Sequence, residues 1–312
     1  MQQVGRKRMI PRNIVASWLG LIVATLGSAS ILAAQTAAPP GLPSAIDLVR
    51  ATVSNEAHAS DSKIKHMFCD RKKTAQGSET HLFVETREGV AGMTIANDGN
   101  PVTSEQLHSE EERLKGLVEN SDQLRRKQQK QKEDSDRSLS IVTAFPEAFR
   151  FKYDGTEEGT ASLGRPGAHL VRLKFWPNPS YHPPSHVQDV LVGMSGFLVI
   201  DPKEHRIARI DGTLFREVSF GWGILGHLDK GGHFFVEQAD VGEDSWEVTR
   251  MRLEFTGKIL LFKNLSIKSD ELFSNFQRVP SNTTFAQGVR LLEAQEAKLA
   301  ETGEIARISK SQ

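Results

Sequence analysis

Two histidines four residues apart are the first side chains in this sequence whose types and spacing could do chemistry. His182 and His186 lie in a proline-rich stretch, and Asp189 follows. Zinc sites use histidine pairs at this spacing, but they need three or four ligands. A hydrolase would need both histidines and an acid to converge in a cleft. Because no cysteine pair or acidic cluster stands nearby in the sequence, we interpret the stretch as a rigid exposed loop and predict no metal site and no catalytic residue.

Two glycine patterns resemble motifs of nucleotide-binding proteins and hydrolases. Residues 221–226 have the glycine spacing that admits a pyrophosphate at a helix N-terminus. The residues that follow are typical of a strand, so the sequence argues against nucleotide binding and predicts no cofactor. Ser195 lies between glycines, but a nucleophile elbow needs a glycine two residues after the serine, where this chain has Phe197.

Cys69 is the single cysteine, so the protein folds without an internal disulfide. A basic run, Arg71–Lys73, follows it and would lower the pKa of its thiol if the cations lay close. The alternative is a small apolar side chain packed within a strand, and we favour that interpretation.

The beginning of the chain predicts export. A basic stretch, Arg6–Arg12, precedes an apolar run, Ile14–Leu26, and small residues lead to Ala34. This order is typical of a cleaved signal peptide over residues 1–34, followed by a linker over 35–43. The alternative is an uncleaved inner-membrane anchor, because a span needs ~20 apolar residues. We therefore expect a periplasmic protein.

The composition excludes a broad nucleic-acid surface. The whole chain carries 39 basic and 39 acidic residues, and four of the basic residues lie in the first 34. Residues 35–312 therefore carry 35 basic and 39 acidic residues, which gives no positive excess to attract nucleic acid. The 38% hydrophobic and 25% charged fractions are those of an ordinary globular protein.

Residues 44–299 are predicted to form one β-rich domain, with a C-terminal tail over 300–312. The first helix begins at Ser44, and the last covers Thr284–Leu299. Three strands precede the middle of the chain; they are Lys65–Lys73, Thr80–Arg87 and Val90–Ala96.

Residues 103–137 differ from the rest because Glu, Lys, Arg and Gln dominate them. Thr103 and Gln106 have the spacing of a capping box. A thin apolar stripe ends at Leu124, and a basic run follows. We predict a long charged helical insertion whose first half packs and whose second half is solvated. A protein partner in the envelope or anionic lipid would contact that basic run.

From Phe149 to Lys268 the sequence alternates apolar and polar residues, which is typical of strands with one buried face. Phe197–Asp201 and Arg206–Asp211 flank turn residues and predict a hairpin. The first of these segments is apolar on both faces, which indicates a central strand.

Three stretches resemble a known family. They are Pro146–Gly155, the hairpin Gly196–Ile210, and Lys258–Ile267 followed by Phe273, Phe276 and Pro280. In this order they resemble the periplasmic lipoprotein-carrier (LolA-like, outer-membrane lipoprotein-sorting) superfamily. The resemblance implies an α+β fold in which a strongly curved antiparallel sheet, a half-open barrel, covers helices and leaves an apolar cavity for acyl chains.

We accordingly predict a non-enzymatic carrier or sensor of lipid or lipidated protein. The nine residues expected to line its cavity are Phe149, Phe151, Leu173, Phe175, Phe197, Val199, Met251, Leu253 and Phe255. Each buried CH₂ of an acyl chain would contribute ~0.8 kcal/mol. The alternative is a structural or interaction protein in which the same side chains fill a closed core and no ligand binds.

Overall fold

A computed structural model describes residues 41–59, 64–220, 226–259 and 263–310. Residues 1–40, with the predicted signal peptide and most of the linker, and most of the glycine pattern at 221–226 lie outside the described residues. The described chain is an α+β structure in which a large antiparallel sheet packs against helices. That much of the fold prediction is confirmed. No described helix is both long and apolar enough to cross a membrane.

The helices within the described ranges stand at the two ends and in the middle of the chain. They are α1 (Ala45–Ala59), α2 (Ser104–Glu119), α3 (Ser121–Thr143), α4 (Phe145–Ala148), α5 (Phe285–Glu301) and α6 (Glu304–Lys310), with a 3₁₀ helix, η1, at His186–Gly193. The segment interpreted from the sequence as a tail contains α6, whose Ile305 is buried.

Thirteen strands within the described ranges form one sheet. They are β1 (Lys65–Thr74), β2 (Gly77–Thr86), β3 (Gly89–Asn97), β4 (Asn100–Pro101), β5 (Phe149–Glu158), β6 (His169–Pro177), β7 (Met194–Asp201), β8 (Arg206–Leu214), β9 (Val218–Phe220), β10 (Gly226–Leu228), β11 (His233–Asp240), β12 (Trp246–Ile259) and β13 (Lys263–Val279).

The strand order is β4-β3-β2-β1-β13-β12-β11-β8-β7-β6-β5, and β10 pairs with β12 and β9 beside this path. The path has two ends, so the sheet is not closed. β1 meets β13, which lies at the far end of the described chain, and this pairing joins the two halves. The predicted hairpin of β7 and β8 is confirmed, with His205 at the positive φ of 49° that its turn requires.

The two faces of the sheet are covered at opposite ends. Leu173, Leu198, Ile210, Val236 and Met251 are consecutive cross-strand partners from β6 to β12, so their side chains share one face. Helix α1 packs on this face at β5 and β8, and we call it the α1 face. Helix α5 packs on β2 and β3 over the opposite face, the α5 face.

The α1 core fills the space between α1 and strands β5 to β8. Its rings meet at short range, with centroids 4.7 Å apart for Phe149 and Phe175 and 5.3 Å for Phe145 and Phe149. Buried side chains of the α1 core include Leu48, Val53, Ile141, Phe145, Phe149, Leu173, Phe175, Leu191, Leu198 and Ile210.

The α5 core occupies the other end of the sheet. Helix α5 begins with a capping box in which Thr284 accepts from the backbone N–H of Gln287. Its buried stripe meets alternate residues of β1 to β3. The α5 core includes Met67, Cys69, Leu82, Val84, Met93, Leu114, Val289, Leu292, Leu299 and Ile305.

The predicted insertion consists of two helices rather than one. Thr103 and Gln106 form the expected capping box at the start of α2. Asn120 ends α2 and caps α3, which continues to Thr143, beyond the predicted end. Pro146 lies within the short α4 that follows.

Candidate functional site

The nine residues predicted to line a cavity do not share one site. Seven of them lie on the α1 face; they are Phe149, Phe151, Leu173, Phe175, Met251, Leu253 and Phe255. Phe197 and Val199 point to the other face. Arg172 lies over the Phe197 ring, 5.4 Å from its centroid, and Val199 packs with Leu170 and Trp246.

The seven residues on the α1 face belong to two packed groups. Phe149, Leu173 and Phe175 are buried in the α1 core, and Phe151 and Phe255 pack against it half-buried. Met251 and Leu253 belong instead to a second group in the middle of the sheet. The cavities described below are lined by other residues.

We call that second group the central cluster. Phe68 is at its middle and is fully buried, with ring centroids 5.5 Å from Phe83, 5.5 Å from Phe276 and 6.2 Å from Phe273. These phenylalanines come from β1, β2 and β13, and Met251 of β12 adjoins them. Rings that are offset or tilted at such distances attract one another beyond simple burial. The central cluster therefore binds the two halves of the sheet together.

A polar triad borders the central cluster. The Nδ1 atom of His66 lies 3.1 Å from Oε1 of Glu247 and 3.9 Å from Oε2 of Glu85, and ligand atoms of all three residues lie within 4.8 Å of one another. Glu85 also accepts the backbone N–H of His66 at 3.0 Å. One imidazole and two carboxylates can share a proton or hold a divalent cation. The short separations tie β1, β2 and the start of β12 together.

A second group of possible ligands is more exposed. His227 Nε2 lies 3.3 Å from Asp229 Oδ1, and Glu217 is close to both. Thr256 donates to the other oxygen of Asp229 at 2.6 Å. Residues 221–225, which separate Glu217 from His227 in the sequence, are outside the described residues.

The histidine-rich loop brings one histidine to an acid and leaves the other exposed. His186 Nδ1 lies 3.6 Å from Asp189 Oδ2 at the start of η1, while His182 faces solvent. Burial raises the pKa of the Asp189 carboxyl, and His186 opposes that rise. Tyr181 donates to Gln188 at 2.5 Å, and burial raises the pKa of its hydroxyl to about 12. This local geometry fixes the loop against α3, where Gln188 donates to the carbonyl of Ser140.

Cys69 is buried in the α5 core. Burial, with Asp70 nearby, raises the pKa of its thiol to about 11, although a hydrogen bond from Asn275 opposes this. The thiol is therefore protonated at neutral pH, as expected for a packed side chain rather than a reactive one.

An open cavity runs along α3. Its volume is about 700 Å³, and its described walls are the charged and amide side chains of one helix face, which are Asp122, Arg125, Arg126, Gln129, Lys130, Glu133, Asp134 and Arg137. A cavity of about 340 Å³ lies where β13 leads into α5. Because its walls are charged and amide side chains, the α3 cavity is suited to bind a charged surface of another molecule rather than an acyl chain.

The predicted solvated half of the insertion makes contacts that the sequence did not indicate. Lys127 Nζ donates to the carbonyl of Val90 at 2.6 Å, and Gln131 accepts the N–H of Val90 at 3.0 Å. Burial, with Arg113 nearby, lowers the pKa of the Lys127 amine to about 8. The expectation that this half is solvated is wrong for these two residues, because both lie against the edge of the sheet.

No family model matches the sequence, and no curated protein matches it.

The residues that sequence reasoning missed come from separate elements. His66, Glu85 and Glu247 have no shared spacing, and strand pairing alone brings them together. Lys127 and Gln131 do have an i, i+4 spacing. That signal is lost in a segment where nearly every residue is charged or carries an amide.

Proposed function

We propose that this chain is a non-enzymatic, exported protein of the cell envelope that acts by binding another protein, with its apolar core closed. The observation that carries the proposal is the α3 cavity. Its walls carry four cations and three anions on one helix face, as a surface complementary to a charged partner does. The packing of the predicted cavity residues into filled cores supports the same conclusion.

Site-specific photo-crosslinking in cells that export the protein tests this proposal. A photoreactive residue at position 126 or 130, both exposed on α3, should give a discrete adduct with one partner. The same residue at position 268, exposed on β13, should not. Arg125→Glu should remove the adduct formed at position 126, because it reverses one charge of the cavity wall.

Two results would contradict a partner on α3. One is the absence of any adduct at positions 126 and 130. The other is the same set of adducts at all three positions, which would indicate random collision.

Binding of lipid or a lipidated protein is the second candidate function. It has the family resemblance in its favour, with the half-open barrel that this resemblance implies; the long charged helical insertion of residues 103–137 has no counterpart in that family. The arrangement of the predicted residues also favours it. Seven of the nine share the α1 face, and two of these seven, Met251 and Leu253, adjoin a group of phenylalanines. An acyl chain would have to lie along this central cluster.

Native mass spectrometry of the exported protein and displacement of a fluorescent fatty acid test the second candidate. Leu253→Ala should weaken binding, whereas Phe255→Ala is a matched control on the same strand and face that packs against the α1 core. Protein without bound lipid that leaves the fatty acid undisplaced would exclude lipid binding and leave the protein-binding proposal standing.

A further inference from the structure

Strand β3 lies almost at one end of the sheet and has an open edge. Strand β4 pairs with it at Ala96 and Asn97, near its C-terminal end. From Gly89 to Thr94 the outward backbone groups need other partners. The strand reads Gly-Val-Ala-Gly-Met-Thr-Ile-Ala-Asn and has no charge and no proline. Uncharged edges of this kind are templates for pairing with another chain.

Side chains from α2 and α3 take the outward groups of β3. Val90 is bonded at both its N–H and its carbonyl, by Gln131 and Lys127. Two residues further on, Arg113 donates to the carbonyl of Gly92 at 2.7 Å. Two residues beyond that, the N–H of Thr94 donates to Glu110 at 3.1 Å.

These contacts repeat the hydrogen-bond pattern of a neighbouring strand. Donors stand opposite the carbonyls of Val90 and Gly92, and acceptors opposite the N–H groups of Val90 and Thr94, so four of the six outward groups at these alternate residues are bonded. Arg113 and Glu110 also pair with each other at 2.9 Å, which fixes their positions on one turn of α2. Gln131 is 5% exposed, and its Oε1 atom comes so close to Gly89 that a Cβ there would collide with it.

A strand would make the same bonds more cheaply than side chains do. Each long side chain held at the edge loses rotamer freedom, about 1.5–2 kcal/mol for Lys, Arg, Gln or Glu. The charged amine of Lys127 also loses water, which its lowered pKa reflects. A backbone N–H or carbonyl of a neighbouring strand makes the bond without fixing a long side chain and without removing a charge from water. The side-chain contacts at the β3 edge are therefore replaceable by a strand of the right register, while the burial of Leu114 in the α5 core holds α2 in place over the edge.

We propose that α2 and α3 are a displaceable guard over the β3 edge, and that the strand that replaces them is β3 of a second copy of this chain. The edge is self-complementary. A twofold axis at Gly92 would place Gly92 opposite its own copy and Val90 opposite Thr94, so each outward group would meet a partner. Because β3 carries no charge, no like charges meet in such a pair.

Removing the guard side chains tests the proposal through the oligomeric state of the full chain. The variant Arg113→Met/Lys127→Met/Gln131→Met keeps the apolar stems and removes three of the four edge contacts, leaving only that of Glu110 with Thr94. Light scattering after size exclusion across a concentration series should show its mass doubling, while the wild-type protein stays monomeric. Lys130→Met, an exposed lysine of the same helix, is the matched control and should stay monomeric.

A second substitution locates the contact. Thr94→Pro removes the N–H that faces away from β2, so it leaves the β2–β3 ladder intact. Added to the triple variant, it should return the mass to that of a monomer. A dimer that persists would place the contact elsewhere and overturn the proposal.

Folding of the variants is checked by circular dichroism. If the triple variant is unfolded, the single variant Lys127→Met is measured instead. Its dimer fraction should exceed that of the wild-type protein at equal concentration. A folded monomer in either variant across the whole series would show that α2 and α3 do not guard a pairing edge. A wild-type protein already dimeric through β3 would overturn the guard as well. None of these outcomes depends on the photo-crosslinks, so the two proposals can fail separately.

Discussion

Replacing Lys127 with methionine should flatten the pH dependence of folding stability. Burial against β3 and the nearby charge of Arg113 lower the pKa of the Lys127 amine from its ordinary 10.5 to about 8. Between these two values the unfolded chain holds a proton that the folded chain has released. Unfolding then takes up a proton, so the free energy of unfolding rises with pH in this window.

The magnitude follows from the two pKa values. The full difference corresponds to roughly 3 kcal/mol, and water around the half-buried side chain reduces it. Between pH 7 and pH 9 the expected rise is about 1 kcal/mol. Lys127→Met should lack this rise. At pH 7 it also loses the hydrogen bond to the carbonyl of Val90, which costs about 1 kcal/mol and offsets part of the relief.

Urea unfolding of both proteins at pH 7 and pH 9 measures the effect. The quantity that matters is the difference between wild type and variant at each pH, because the other titrating groups are common to both. Lys130→Met is the control, and its exposed amine should leave the wild-type pH dependence unchanged. If Lys127→Met follows the same pH dependence as the wild type, the amine lies in water and the contact with β3 is wrong.

Two further predictions concern buried groups. The Cys69 thiol, with its pKa of about 11, should react with a disulfide reagent at pH 8 about a hundredfold more slowly in the folded protein than in urea, and comparable rates would mean that the thiol is accessible. Glu56 is bonded to Arg206 at 3.0 Å and to the N–H of Ile207 at 2.8 Å, and burial raises the pKa of its carboxyl. Glu56→Gln should cost about 2 kcal/mol in urea unfolding, because Arg206 loses its charge partner while the burial penalty on the Glu56 carboxylate is relieved. Arg50→Gln, which breaks an exposed pair on the same helix, should cost less than about 0.5 kcal/mol; similar losses would mean that the Glu56 pair is not buried.

The helices and strands could be predicted from the sequence where a local pattern within one strand or one turn specifies them. Alternation placed the ends of β1 to β3 within three residues of their observed positions, and the turn residues 202–205 fixed the β7–β8 hairpin. The capping box at Thr103 marked the start of α2. The pairing of β1 with β13 could not be predicted in this way, because nothing local in either strand specifies a partner about 200 residues away.

The composition of the site was harder to predict for a related reason. Alternation shows that Phe197 and Val199 share a face of β7, but it does not show which face of β6 they join. The observed register pairs Leu173 with Leu198, which sends both Phe197 and Val199 to the opposite side. On a strand that is apolar on both faces, the sequence pattern cannot distinguish these two registers.

The two ends of the open sheet show why this chain needs its insertion. Strand β5, at one end, carries Arg150, Lys152, Asp154, Glu157 and Glu158, and its register shifts at a bulge between Tyr153 and Gly155. Charges and bulges on an edge strand oppose pairing with another chain. Strand β3, near the other end, has neither charges nor prolines, because its alternate side chains are buried in the α5 core. Protection of β3 must therefore come from outside the strand, and the edge contacts of α2 and α3 supply it. The charges that β5 carries on its own strand are supplied for β3 by the insertion.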